Sequence, residues 1–155
     1  RGVARAYLDN GDGTISDTRT GLVWEKLSDD GSIHDKDAGY TWSGGFTKVA
    51  MLNEGSGFAG YTDWRLPNIN ELRSLVDYSR HDPALPAGHP FSNVQSTWYW
   101  SSTSNPVYTA GAYNVGFSRG SIHSTGKVRP VIRGESRVEN KADTRLGVWP
   151  VRGGR

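Results

Sequence analysis

From Val3 to Leu27 the chain alternates short apolar and polar positions, VARAYLDNGDGTISDTRTGLVWEKL, broken at Asn10-Gly11, Asp12-Gly13 and Thr20-Gly21. Period-two alternation between such turn dipeptides predicts successive β-hairpins. Residues 28–40 are polar and rich in Gly and Asp, a loop. From Thr41 to about Asn53 the pattern changes period: Trp42, Phe46, Val49, Ala50 and Leu52 approximate one helical stripe, weakened by Gly44 and Gly45.

The next stretch, DWRLPNINELRSLVD at residues 63–77, joins two patterns. Asp63, Trp64, Arg65 and Leu66 alternate as a short half-buried strand, and Pro67 closes it because the residue before a proline prefers extended backbone. Asn68 is then an N-cap, Glu71 its capping-box partner, and Ile69, Leu72, Leu75 and Val76 one apolar face, which predicts a helix from Ile69 to Tyr78. RHDPALPAGHP follows as a proline-rich loop.

Beyond Phe91 the texture is Ser, Thr, Asn, Gly and aromatics. Tyr113, Val115 and Phe117 alternate, with Gly120 as a turn, and read as antiparallel strands. Residues 135–147 are charged and weakly patterned, and a last apolar piece, LGVWPVRGG, echoes the earlier VRPVIRG. Two helices between β-rich ends predict an α+β fold, and a chain of 155 residues supports one domain over 1–155 with a single core.

Composition adds two constraints. There is no cysteine, which removes disulfides, thiolate metal sites and thiol nucleophiles together and leaves the compartment open. Six Trp, seven Tyr and four Phe against 35% hydrophobic residues give an aromatic core, and aromatics enough for a surface that binds by stacking. A net charge of +2 is too mild to indicate nucleic acid, and no nucleic-acid partner is expected. No apolar run approaches the ~20 residues of a membrane span, and no signal-like segment opens the chain at Arg1, which reads as a soluble, excised or processed piece.

Candidate chemistry is sparse. An EF-hand loop needs oxygen ligands at its first, third and fifth positions with Gly at the sixth, and setting Gly13 there puts Leu8 first. Asp9, Asp12 and Asp17 remain weak candidates for an irregular oxygen site, against the plainer reading as turn residues. His34, His81, His89 and His123 lack the helical i, i+4 spacing of zinc proteases; His81 and His89 share one loop and could meet there. No nucleophile elbow exposes a serine. The expectation is no metal, no cofactor and no catalysis.

The aromatics divide. Trp24, Trp64, Trp100 and Trp149 belong to the core, whereas Trp98, Tyr108 and Tyr113, set among Ser, Asn and Gly, are partly exposed. Arg129 and Arg133 recur on one strand face, where ion pairing at strand ends is the plain reading. Alternation sends Asn114 and Ser118 to the face opposite Val115, and the turn SRGS exposes Arg119 and Ser121, with His123 on the same side. With Asn105 these residues form an expected contact set of Trp98, Asn105, Tyr108, Tyr113, Asn114, Ser118, Arg119, Ser121 and His123. Tyr supplies contact area at low entropic cost, and Ser, Gly and Asn supply adaptable hydrogen bonds.

Four pieces in order, DNGDGTISDTRTGLVW, DWRLPNINELRSLVD, YWSSTS and VRPVIRG, resemble the Lcl-type C-terminal domain family of bacterial collagen-like adhesins, over most of residues 7–134. The resemblance implies a C-type lectin-like fold, two helices packed on twisted antiparallel sheets, with the RLPN joint at the entry to the second helix. It also implies an extracellular or cell-surface role in adhesion, with a protein or glycan ligand, sulfated glycans among them, and leaves a homotrimer open. Residues 104–127, between YWSS and VRPV, resemble the display region of lectin-like variable proteins diversified by retroelements. The calcium-coordinating tripeptides of sugar-binding lectins are absent, Ser104-Asn105-Pro106 lacking the carboxylate. The RLPN joint is similar, too, to formylglycine-generating enzymes, so such an enzyme or a sulfoxide synthase is the alternative, and a trimerising cap of a surface fibre another; the former depends on cysteines this chain lacks.

Overall fold

The computed structural model describes residues 6–118, 121–125 and 144–154. The predicted hairpins are present as β1 (Tyr7–Asp9), β2 (Thr14–Asp17) and β3 (Leu22–Glu25), joined antiparallel with Ile15 opposite Trp24. The helix α1 (Trp42–Leu52) and the helix α2 (Ile69–Leu75) follow, then β4 (Trp98–Ser104), β5 (Ala112–Gly116), β6 (Ser121–Thr125) and β7 (Val151–Gly153). β7 returns to pair antiparallel with β3, so one sheet runs β1-β2-β3-β7 and a second runs β4-β5-β6. The fold is α+β, with antiparallel strand pairs and two helices among the described residues.

The core lies where the sheets meet. Trp24, Tyr99, Val115, Phe117 and Trp149 are buried together with Leu72, Leu75 and Val76 of the α2 segment. Trp149 sits edge-on to Trp24, Phe91 and Phe117, at centroid distances of 5.8, 5.1 and 5.4 Å. The four tryptophans expected inside, Trp24, Trp64, Trp100 and Trp149, are all at most 2% exposed. A second cluster, Leu66, Trp100, Ala112, Leu146 and Val148, covers the other face of the β4-β5 pair. Gly116 belongs to that face by necessity: a Cβ there would stand 2.8 Å from the Trp98 ring.

Three details differ from the sequence reading. First, α1 buries Gly45, Lys48, Val49 and Leu52, while Phe46 and Ala50 are exposed. Gly45 lets Val148 and Leu66 approach the helix, since a Cβ would lie 3.0 Å from Val148 Cγ2. Lys48 goes inside because the buried Glu25 carboxylate meets its ammonium at 2.8 Å. Second, α2 stops at Leu75, because the Asp77 carboxylate captures the Ser79 backbone N–H and hydroxyl and starts a turn. Third, Asp63 to Leu66 is no full strand: Arg65 alone exchanges backbone hydrogen bonds with Val151, although Trp64 and Leu66 are buried and Arg65 is not.

The capping box is formed as the pattern predicts. Asn68 Oδ1 accepts from the Asn70 and Glu71 N–H groups, and Glu71 accepts from the Asn68 N–H at 2.8 Å and from Arg65 through both carboxylate oxygens. Desolvation opposes the Glu71 charge, but the Arg65 fork and the Asn68 N–H outweigh it and hold the carboxyl below the usual range.

Two substitutions rank these interactions by urea denaturation. Asn68→Ala loses an exposed cap and should cost about 1 kcal/mol. Lys48→Met removes the ammonium from the buried Glu25 carboxylate, leaving it with His34 at the other oxygen, and should cost about 3 to 5 kcal/mol. Equal losses, or a larger one for Asn68→Ala, would contradict the placement of Lys48.

Candidate functional site

β4 cannot continue through Pro106, and the chain turns there into a loop from Asn105 to Gly111 before β5 returns. The loop is closed by its own backbone: Asn105 N–H donates to Gly111 C=O at 2.9 Å and Gly111 N–H to Tyr108 C=O at 2.7 Å. Asn105 Oδ1 accepts from the Val107 and Tyr108 N–H groups at 2.8 and 3.1 Å, an Asx turn that sets the tip. Residues 106–110 are all exposed, Val107 at 75% and Tyr108 at 39%. An apolar side chain this open on an ordered turn, beside a half-open tyrosine, can lend contact area at little ordering cost.

The expected contact set is only partly on this surface. Tyr108 is exposed at the tip, and Trp98, Tyr113 and Ser118 are half-buried. Asn105 and Asn114 are corrections: they are 6% and 2% exposed. Asn105 turns inward to hold the Asx turn, and Asn114 lies under the aromatic layer of the second cluster, in register with Trp100. Alternation did separate Val115 from Asn114, but both faces of β5 are covered, so the polar face is not a solvent face. Ser121 and His123 pair in register with Gly116 and Asn114, their side chains lying outside the described residues; Arg119, Arg129 and Arg133 lie outside them altogether.

The aspartates near the first hairpins serve their own turns. Asp9 accepts from the Gly11 N–H and meets Lys26 at 2.6 Å, and that ammonium and N–H hold its carboxyl below the usual range. Asp12 accepts from the Thr14 N–H and hydroxyl, while Asp17, buried, accepts from the Arg19 and Thr20 N–H groups. They form no shared ligand set among the described residues. Asp29, Asp35 and Asp37 do bring carboxylate oxygens within 4.8 Å of one another, but Lys36 already sits at 3.1 Å from Asp29 and 2.7 Å from Asp37.

A cleft of about 570 Å³ opens in the proline-rich loop, lined by residues 79–83 and 85–89. His81 and His89, expected to share a loop, both line it. Its walls are tied to the end of β5: Asp82 N–H donates to Ser118 C=O at 2.9 Å and Ala84 N–H to Phe117 C=O at 2.7 Å. Burial, and to a lesser degree the nearby Arg80 charge, depress the His89 pKa, so the ring is neutral at neutral pH.

Residues 13–152 match the sequence profile of the Lcl C-terminal domain. The chain belongs to the Lcl C-terminal domain family. The family is one of bacterial surface, adhesin-like domains. No curated protein and no solved structure matched. Among the described residues, no helix of this Lcl C-terminal domain is long and apolar enough to cross a membrane.

Sequence reasoning passed over two features of the Lcl C-terminal domain. Val107 lies between Pro106 and Tyr108, and an apolar residue on so short a turn has no core to reach. Arg80 carried no signal of its own, because the cleft forms only once the loop folds back on β5. If Asp9, Asp12 and Asp17 act as turn residues, EDTA and added calcium should leave the melting temperature unchanged. A drop of several degrees in EDTA that calcium restores would make them ligands.

Proposed function

We propose that this chain is a non-catalytic binding module of the bacterial cell surface, a C-type lectin-like scaffold whose display region, around residues 98–123, engages a protein or glycan ligand. The tip of the Asn105–Gly111 loop is its centre. The observation that carries this reading is that the tip's shape is held by Asn105 and by backbone hydrogen bonds, while Val107 and Tyr108 point outward. A surface built this way tolerates changed side chains at 106–110 without changed geometry, which suits a display region that a retroelement can diversify. Aromatic and apolar anchors flanked by the exposed Ser104 and Thr109 give affinity with adaptable polar contacts. Trp98, Tyr113 and Ser118, half-buried, flank this centre rather than form it.

The test is a protein and glycan array probed at two salt concentrations, followed by variants on the ligand found. Tyr108→Ala and Val107→Ser should each weaken binding by about 1 to 3 kcal/mol, as hot-spot truncations do, with an unchanged denaturation midpoint. Binding that survives the higher salt points to apolar packing, because exposed charges are screened over ~8 Å at physiological ionic strength. Full-strength binding by both variants would move the site off this loop.

A further inference from the structure

The cleft in the proline-rich loop is lined by an arginine that forms no ion pair among the described residues. Arg80 makes no ion pair or side-chain hydrogen bond among the described residues, unlike Arg65 with Glu71 and Arg152 with Asp63. Across the same cleft, His89 Nδ1 is buried and has no hydrogen-bond partner among the described residues, a costly state for a ring nitrogen. Prolines 83 and 86 and Leu85 supply apolar wall, and Leu85 is 1% exposed, so the wall is anchored in the core. Together with the backbone ties to Phe117 and Ser118, this gives a preformed concavity in the size range of small-ligand sites, roughly 300 to 1,000 Å³.

We propose that this cleft is a recognition subsite for a carboxylate-bearing sugar residue, with Arg80 as the group that clamps the carboxylate. The charge inventory selects the class. The lining offers one permanent cation, Arg80, and one carboxylate, Asp82, which lies 3.2 Å from His81. A dianionic phosphate would meet too little positive charge and a nearby negative one, whereas a single carboxylate matches one guanidinium. Arginine's planar fork bonds both carboxylate oxygens at once, a geometry that the point charge of a lysine ammonium does not offer. A sugar ring fits the volume, and its apolar face can lie on the prolines. The inference rests on reading this domain as a binding module, and it adds a second contact region reached from the end of β5.

Amide spectra of the 15N-labelled chain, titrated with sodium glucuronate, glucose and sodium sulfate at matched ionic strength, read the cleft directly. Glucuronate should produce saturable shifts at Arg80 to Gly88 and at Ser118, and glucose and sulfate should not. Arg80→Ala should raise the glucuronate Kd about tenfold or more, and Arg80→Lys should recover only part of the loss; the spectra themselves report that each variant is folded. Tyr108→Ala should leave the titration unchanged, so a failed display loop and a failed cleft give different results. Equal shifts with glucose or sulfate, shifts confined to other residues, no saturation, or an Arg80→Ala Kd equal to that of the parent chain would each overturn the proposal.

Discussion

Trp149 has no exposed surface, and both sheets are built around it. Its indole N–H donates to the Glu25 carbonyl of β3 at 2.8 Å, its edge meets Trp24, and its other contacts are Tyr99 of β4, Phe117 after β5 and Phe91 of the long loop. One side chain thus ties the chain's last segment to its first sheet and to the sheet that carries the Asn105–Gly111 loop. β7, three residues long, can pair with β3 because Trp149 beside it is anchored. Glu25 adds a second tie, its carboxylate joining Lys48 of α1 and His34 of the polar loop at 2.8 and 2.6 Å. Buried charge of this kind contributes little net stability against an apolar replacement, but it admits few alternative arrangements.

The same division of labour leaves the exposed loop outside the core. The core reaches β4 through Tyr99 and Trp100 and β5 through Ala112 and Val115, and stops there. Between these anchors Asn105 and Gly111 close the loop with main-chain bonds, so the side chains from Pro106 to Ala110 are left to the solvent side. The proline-rich loop follows the same plan, with Ala84 and Leu85 in the core and Arg80 outside.

What was legible in the sequence was local. The cap at Asn68, its Glu71 partner and the hairpin turns depend on residues within a few positions, and each formed where the pattern put it. The burial of Lys48 was not legible, because its cause, Glu25, is distant in the chain and becomes a neighbour only through α1 packing. The exposed tip at 106–110 falls inside the segment marked by its Tyr, Ser and Asn content, yet the exposure of individual residues was not legible. Alternation marks which side of β5 Asn114 occupies but cannot say that a second aromatic layer covers that side. Asn105 misled for a related reason: a polar residue beside a proline reads as surface, whereas its amide oxygen is consumed by the turn it makes.

The central claim is that scaffold and display surface are separable. Replacing Pro106-Val107-Tyr108-Thr109 with Gly-Ser-Gly-Ser, while keeping Asn105 and Gly111, and following urea unfolding by tryptophan fluorescence tests it most directly. The account predicts a single cooperative transition with a slope like that of the parent chain and a midpoint lowered only by the small entropic effect of the added glycines. A collapsed midpoint, or a transition split between the two sheets, would show that the exposed side chains hold the fold together and would contradict it.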